Sequence, residues 1–218
     1  MIELHNVSKS YHTRSGLAPI LNGVDLTISP GDKLGIVGRN GAGKSTLFRL
    51  ISGVELPTSG TIERGMRVSW PLAFGGAFQS ALTGYDNLRF ICRIYDTDYH
   101  SAIGYVKEFS ELGRYMREPL RIYSSGMRAR LAFAISMVVE FDCYLIDEVT
   151  AVGDARFQAK CQTELFEKRA DRSLVIVSHD TYYLRNHCDR GAVLLDGQLH
   201  QFPTVEEAIH FHEELMAK

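Results

Sequence analysis

Apolar positions along the chain follow two different periods, and the period changes twice. Short alternating or continuous apolar runs, which are typical of strands, occur at residues 2–7, 21–28 and 33–37. Similar runs return at residues 143–146 and 174–177, where both faces of the strand read as apolar. Because continuously apolar strands belong to buried parallel sheets, the pattern predicts an α/β core.

Between Leu82 and about Val139 the strand signals give way to helical spacing, as at Leu88, Ile91 and Tyr95. We therefore expect a helical subdomain at about residues 82–139. It would be inserted into a single α/β domain that spans residues 1–218.

Gly, Pro and capping residues predict where individual loops, turns and helices begin. Residues 12–19 are polar and interrupted by glycine and proline, which predicts a loop. Residues 192–196 and 198–202 flank a glycine as a hairpin. Thr204, with Glu207 three positions later, predicts the start of a final helix.

Composition and charge narrow the functional classes. With 45% hydrophobic residues the 218-residue chain can bury a real core, and its net charge of −2 gives no electrostatic case for nucleic acid. The four cysteines are scattered, as in a reduced cytosolic protein. The N-terminus lacks signal-peptide features, and the longest apolar run is too short to span a bilayer. We expect a protein that is soluble and cytoplasmic by itself and reaches a membrane only through a partner subunit.

A phosphate-binding motif follows the strand at residues 33–37. The pattern G-x-x-x-x-G-K-[ST] is matched by Gly38, Arg39, Asn40, Gly41, Ala42, Gly43, Lys44, Ser45 and Thr46. Glycines let successive backbone N–H groups point at phosphate oxygens, and the following helix adds its positive end. Lys44 supplies a full charge, and the Ser45 hydroxyl can ligate Mg²⁺. The motif predicts a site for a nucleoside triphosphate and its metal ion.

Polar residues end two of the buried strands. Asp147 and Glu148 close the strand at 143–146, where Asp147 is placed to hold Mg²⁺ through water. Since consecutive strand residues point in opposite directions, Glu148 can face the water that attacks the γ-phosphate. His179 ends another such strand and lies near the phosphate loop by topology, although a lone histidine is more often structural.

A second helix start carries small polar residues, in the stretch Tyr123-Ser124-Ser125-Gly126-Met127. Hydroxyl and free N–H groups at the positive end of a helix dipole form an anion site. Taken alone, a simple helix cap explains this stretch better. A second phosphate-reading helix start in a chain with a phosphate loop nevertheless suggests a dimer in which each nucleotide touches two subunits.

The motifs, in this order, resemble those of an ABC-transporter ATPase over nearly the whole chain. They are the phosphate loop, a Q-loop glutamine (Gln79), YSSGM in place of the LSGGQ signature, Asp147-Glu148, a D-loop aspartate (Asp154) and a switch histidine (His179). The resemblance implies a P-loop ABC ATPase core: a mixed sheet with flanking helices and N-terminal antiparallel strands, plus an inserted helical subdomain.

The resemblance also implies roles within one subunit. Tyr11 would stack on the adenine of ATP. Lys44, Glu148 and His179 would be catalytic: Lys44 on the phosphates, Glu148 polarising water and His179 contacting the γ-phosphate. The metal ligands that the resemblance implies for Mg²⁺ are Ser45, Gln79 and Asp147.

Other roles concern a homodimer. Ser124 and Gly126 of the opposite subunit would hold the γ-phosphate, and Asp154 would couple the two sites. Ser125 and Met127 depart from the generic signature, so they receive no role by resemblance.

Four stretches are similar to the ATP-binding subunits of bacterial capsular polysaccharide exporters, and two of them are segments where the chain departs from the generic family. The stretches are residues 38–46, Ser69-Trp70-Pro71 with residues 75–79, YSSGM at residues 123–127, and residues 147–157. This resemblance implies a homodimer at the cytoplasmic face of the inner membrane, peripheral through integral-membrane permease subunits. Periplasmic and outer-membrane export proteins would be further partners.

Other functions stay open at this point. The ATPase of an O-antigen, teichoic acid or other polysaccharide exporter would carry the same motifs. A soluble, non-transport ABC ATPase usually joins two cassettes or inserts a long coiled coil, and neither is seen in the sequence. A P-loop kinase or GTPase would leave YSSGM and His179 unexplained. Co-purification with a multi-spanning membrane protein would separate transport from the soluble alternatives.

Overall fold

The computed structural model describes residues 1–14, 16–72, 78–147 and 154–217. These residues form two compact units. The sheet unit comprises the described residues within 1–71, 141–148 and 171–218, and the helical unit comprises those within 72–140 and 149–170.

The sheet unit contains nine strands and three helices among its described residues. The strands are β1 (Ile2–Thr13), β2 (Gly16–Ile28), β3 (Lys33–Val37), β4 (Ser59–Arg64), β5 (Val68–Leu72), β6 (Cys143–Asp147), β7 (Ser173–Val177), β8 (Arg190–Leu195) and β9 (Gln198–Phe202). The helices are α1 (Lys44–Ile51), α6 (Thr181–His187) and α7 (Val205–Met216).

Six strands form a mixed sheet in the order β5-β6-β7-β3-β8-β9. Pairing is parallel between β6 and β7, β7 and β3, and β3 and β8, whereas β9 runs antiparallel to β8. All five residues of β7 are buried, which explains its continuous apolar sequence. The parallel pairing brings the carboxyl ends of β3, β6 and β7 to one edge of the sheet.

Three further strands form an antiparallel sheet in the order β2-β1-β4. The prediction of a loop at residues 12–19 is wrong, because β1 runs to Thr13 and β2 begins at Gly16. Backbone pairing of Thr13 with Gly16 and of His12 with Leu17 extends the hairpin beyond its buried part. The exposed end of this hairpin buries few side chains, so no alternation of apolar and polar residues marks it.

One hydrophobic core joins the two sheets to α1. Leu4 and Leu26 of the antiparallel sheet, Phe48 of α1 and Leu145 of β6 belong to the same buried cluster. The core therefore fixes α1, and with it the segment between β3 and α1, relative to both sheets.

The helical unit is formed by helices and short helical turns. These are α2 (Gly84–Ile94), α3 (Tyr99–Ser110), α4 (Ser125–Val138) and α5 (Ala155–Gln162), with 3₁₀ turns at Gly113–Arg117 and Leu120–Ile122 and a π-helical turn at Thr163–Glu167. Phe109 of α3 stacks on Phe133 of α4 with 5.5 Å between ring centroids, and Phe157 of α5 meets Phe109 edge-on. The helical spacing predicted for this part of the sequence is present.

A buried ion pair closes the end of the helical unit. Arg169 donates hydrogen bonds to the Glu164 carboxylate (2.8 Å) and to the carbonyl oxygen of Met137 (2.8 Å). Burial alone would raise the pKa of Glu164, but hydrogen bonds from Lys168 and Arg169 outweigh it and lower that pKa.

None of the described helices combines the length with the apolar character that a membrane span requires.

Candidate nucleotide-binding site

The segment between β3 and α1 is a loop that only glycines can form at two points. Gly43 has φ 106°, and a Cβ atom there would lie 2.9 Å from the Cγ2 atom of Ile20. A Cβ atom on Gly38 would lie 2.6 Å from the carbonyl oxygen of Leu194. Real Cβ atoms do not make contacts this short, so packing requires glycine at both positions, and at Gly43 the left-handed conformation requires it as well.

Lys44 lies across this loop. Its ammonium donates hydrogen bonds to the carbonyl oxygens of Gly38 (2.6 Å) and Arg39 (3.0 Å), and the residue is buried. Within the described helix α1, the first turn carries no acidic side chain. The N-terminal N–H groups of α1 and the Lys44 charge therefore add to one positive potential that suits phosphate.

A cavity of about 410 Å³ opens on this loop in the sheet unit. Nine of its lining residues are ones that the sequence predicted for the site. They are Tyr11, Asn40, Gly41, Gly43, Lys44, Ser45, Thr46, Asp147 and His179. Ile20 and Val177 add apolar walls. A polar, partly apolar cavity with convergent charged groups is typical of a small-ligand site.

Three other predicted loop residues have different surroundings. Gly38 packs against β8, as described above. Arg39 extends to α7, where its guanidinium donates to the carbonyl oxygen of Leu215 (3.4 Å) and to the sulfur of Met216 (3.2 Å). Ala42 and Arg39 line a neighbouring cavity of about 300 Å³.

The sheet edge brings the polar strand ends to the loop. Asp147 is the last residue of β6 and is paired in register with Val177, the last residue of β7. His179 follows two positions later and is exposed. The predicted proximity of Asp147, His179 and Ser45 is therefore present. The predicted catalytic Glu148 lies outside the described residues.

Tyr11 reaches the cavity from β1. Its hydroxyl donates to the Glu55 carboxylate (2.5 Å) and accepts from the Arg49 guanidinium (3.1 Å). Arg49 and Glu55 could not be predicted as partners of Tyr11, because they are 38 and 44 positions from it and match no motif.

Gln79 belongs to the helical unit, where its side chain is exposed. Its backbone is held by Asn87 of α2, whose Oδ1 accepts from the Gln79 N–H (2.8 Å) and whose Nδ2 donates to the Gln79 carbonyl (3.2 Å). Asn87 is 1% exposed and also donates to the Thr83 carbonyl (2.9 Å). A polar residue between the buried positions of α2 is the signal in the sequence that marks Asn87.

Ser124 and Gly126 lie at the exposed start of α4 in the helical unit. The Ser124 Oγ accepts a hydrogen bond from the Met127 N–H (3.2 Å), so Ser124 is an N-cap. A Cβ atom on Gly126 would meet only the Ser124 Oγ, at 4.0 Å, within the described surroundings. Contact of this helix start with a second subunit stays a prediction.

Asp154 also caps a helix. It accepts from the Phe157 N–H (2.9 Å) at the start of α5, and its other oxygen accepts from the Arg130 guanidinium of α4 (2.8 Å). The Phe157 amide and the Arg130 charge hold the pKa of Asp154 below its ordinary value. The predicted coupling role of Asp154 between two sites stays a prediction.

Comparison with known proteins places these features in a family. The sequence pattern of the ABC transporter family matches residues 21–151. The chain is 59% identical to the ATP-binding protein BexA of Haemophilus influenzae, over 98% of this chain and 99% of that protein. It is 57% identical to the capsule polysaccharide export ATP-binding protein CtrD of Neisseria meningitidis serogroup B, over 99% of this chain and 100% of that protein.

A solved structure supports the fold. It is an ATP-binding cassette in a dimeric post-hydrolysis state bound to ADP and Pi, with a TM-score of 0.75 and 22% identity. The match covers 94% of this chain and 99% of that chain. The mixed sheet, the phosphate loop and the family match agree, and the chain belongs to the ABC transporter family as one of its ATP-binding subunits.

Proposed function

We propose that the chain is the ATP-hydrolysing subunit of an exporter that moves capsular polysaccharide across the bacterial inner membrane. The cavity supports the ATP-hydrolysing part of this proposal, because it combines the phosphate loop with Asp147, His179 and Tyr11. The choice of capsular polysaccharide as the exported substrate rests on a relative that is 57% identical over almost the whole chain. That relative is named as a capsule polysaccharide export ATP-binding protein.

ATP would lie with its phosphates on the loop and its adenine toward Tyr11. Lys44 and the N–H groups of α1 would neutralise the β- and γ-phosphates. Glu148 would orient and polarise the attacking water, and His179 would contact the γ-phosphate. The protein would act by positioning charge and water, as in other phosphoryl transfers.

The cavity also fits Mg²⁺. The Ser45 hydroxyl and the Asp147 carboxylate both line it, and oxygen donors of this kind are what Mg²⁺ prefers. Ser45 and Asp147 would hold the ion, and the role predicted for Gln79 stays a prediction. When bound, Mg²⁺ neutralises charge on the β- and γ-phosphate oxygens.

Two copies of the chain would form the working ATPase. The exposed start of α4 presents the Ser124 hydroxyl and the N–H groups of the first helical turn. In a homodimer these would contact the γ-phosphate held by the other copy, and Asp154 would couple the two sites. ATP binding would close the dimer, and hydrolysis with phosphate release would reopen it.

The dimer would be peripheral to the cytoplasmic face of the membrane through permease subunits, with periplasmic and outer-membrane export proteins beyond them. The test is a strain whose only copy of the chain carries Lys44→Ala. We expect surface capsule to be lost while the tagged variant still co-purifies with a multi-spanning membrane protein. Normal surface capsule would contradict the proposal. Loss of O-antigen or teichoic acid in its place would favour those substrates.

A further inference from the structure

The hydroxyl of Tyr11 lies at the centre of a polar network that no motif contains. It donates to the Glu55 Oε2 atom (2.5 Å) and accepts from the Arg49 Nη2 atom (3.1 Å). Arg49 and Glu55 form an ion pair, with 2.7 Å between Nε and Oε1. Lys9 adds a second cation, 3.4 Å from the Glu55 Oε2 atom. We call Lys9, Arg49 and Glu55 the Tyr11 bracket.

The bracket is attached to rigid parts of the sheet unit. The Glu55 N–H donates to the carbonyl oxygen of Arg49 (3.1 Å), and Arg49 itself lies in α1. The Arg49 guanidinium also donates to the Thr46 hydroxyl of the phosphate loop (3.2 Å). Tyr11, on β1, is therefore tied to the helix that carries the phosphate-binding N–H groups.

The charges of the bracket favour an intact network at neutral pH. The hydrogen bond from Tyr11, together with the Arg49 and Lys9 charges, holds the pKa of Glu55 below its ordinary value. The Arg49 and Glu55 side chains are nevertheless 30% and 26% exposed. Ion pairs with this exposure add little to folding stability. Stability alone does not account for an ion pair, Arg49 with Glu55, both of whose side chains bond the same hydroxyl.

Tyr11 lines the cavity that contains the phosphate loop. The Lys9 ammonium lies 5.1 Å from the ring centroid, so a cation stands over one face of the ring. Stacking of a base on an aromatic side chain depends on the ring being held in place before the ligand arrives, since ordering a side chain opposes binding.

We propose that Glu55 and Arg49 are positioning residues, which hold Tyr11 at a fixed place relative to the phosphate loop so that an adenine can stack on it. This inference rests on the proposed nucleotide site. It deepens that proposal by separating recognition of the base, through the bracket, from recognition of the phosphates, through Lys44. Loss of the bracket would weaken binding of ligands that carry the base and spare ligands that are phosphate alone.

The test compares ADP with inorganic pyrophosphate by isothermal titration calorimetry on the full chain. For Glu55→Ala we expect the Kd for ADP to rise about tenfold, because one base–aromatic stack would no longer be organised in advance. The Kd for pyrophosphate should change by less than about twofold. Tyr11→Phe keeps the ring but removes the bracketed hydroxyl, and it should weaken ADP binding in the same selective way.

Two further variants control the comparison. Glu55→Gln keeps a hydrogen-bond acceptor for the Tyr11 hydroxyl and should restore part of the ADP affinity. Glu63→Ala removes an exposed carboxylate on β4 and should change neither Kd. Equal weakening of ADP and pyrophosphate by Glu55→Ala, or no change in either, would overturn the positioning role. A wild-type chain that binds neither compound would instead overturn the proposed nucleotide site.

Discussion

Two helix starts in this chain are suited to phosphate, and they are built differently. At α1 the N-cap is Gly43 in a left-handed conformation (φ 106°), which has no side chain to cap the helix, and the first helical residue is Lys44. At α4 the N-cap is Ser124 in an extended conformation, and its hydroxyl already accepts a hydrogen bond from the Met127 N–H. The start of α1 brings its own cation and has no side-chain cap hydrogen bond. The start of α4 is a capped, exposed helix end.

This difference assigns separate tasks to the two starts. A start with a full positive charge and a surrounding cavity can bind a polyphosphate within one chain. A start that offers a hydroxyl and N–H groups can complete a phosphate site that another element has already formed. Damage to α1 should therefore remove binding, whereas damage to α4 should remove hydrolysis and spare binding.

The largest effect is expected from Lys44→Ala. Removing the ammonium takes away the main cation beside the β- and γ-phosphates, so ATP turnover should fall by at least about 100-fold. Phosphate release by the purified chain measures this. Lys107→Ala, which removes an exposed lysine on α3, is the matched control. Wild-type turnover by Lys44→Ala would show that α1 does not carry the phosphate charge.

Glu148→Gln should stabilise a dimer in which α1 of one chain and α4 of the other contact the same nucleotide. The amide cannot act as a base toward water, so turnover should fall by about 100-fold or more while ATP binding continues. Light scattering in MgATP should then show a stable dimer. A variant that stays monomeric and hydrolyses ATP normally would contradict the role given to Glu148.

Ser124→Arg should distinguish the task of the α4 start from that of the α1 start. The new side chain removes the cap hydroxyl and occupies the place where phosphate would approach α4, so turnover should drop by at least about tenfold. Binding of ADP to the same chain should stay within about twofold of wild type, because α1 is unchanged. Parallel loss of binding and turnover would mean that the two starts are not separate.

The smallest effect on turnover is expected from Glu164→Gln, which is part of neither helix start. Breaking its buried pair with Arg169 should lower the free energy of unfolding by about 3 kcal/mol at pH 7, as measured with urea. The control is Glu167→Gln, an exposed neighbour. Turnover per folded molecule should stay close to wild type, and a loss like that of Ser124→Arg would mean that stability explains the α4 effect.

The same variant should change the pH dependence of stability. The pKa of Glu164 is lowered in the folded chain, so its stabilising contribution is present above the ordinary glutamate pKa of about 4.3. That contribution is lost as pH falls through the lower folded-state pKa. As the pH falls from the ordinary glutamate pKa to the lower folded-state pKa, the wild-type chain should therefore lose more unfolding free energy than Glu164→Gln. An unchanged slope would contradict the lowered pKa.

The phosphate side of the site could be predicted from the sequence because its determinants are local. The strand, the glycines and Lys44 are consecutive, and Asp147 and His179 each end an apolar strand that the sequence marks plainly. The start of α4 was predictable for the same reason, since Ser124 precedes the helix that it caps.

Features that depend on distant parts of the chain were not predictable. The extension of β1 and β2 is held by backbone pairing between polar residues, which leaves no periodic pattern. Arg49 and Glu55 meet Tyr11 only in the folded chain, and Asn87 acquires its role only by bonding the backbone of Gln79. Contacts of this kind are fixed by tertiary packing.

The central claim is that each site is shared: α1 of one chain and α4 of another act on one nucleotide. The measurement is ATP turnover by heterodimers purified through two different tags. In one heterodimer, Lys44→Ala is on one chain and Ser124→Arg is on the other. In the second, both changes are on the same chain and the partner is wild type. Shared sites predict about half of wild-type turnover for the first and almost none for the second, since a two-fold dimer has two equivalent sites. The reverse result, with the second active and the first inactive, would contradict the account.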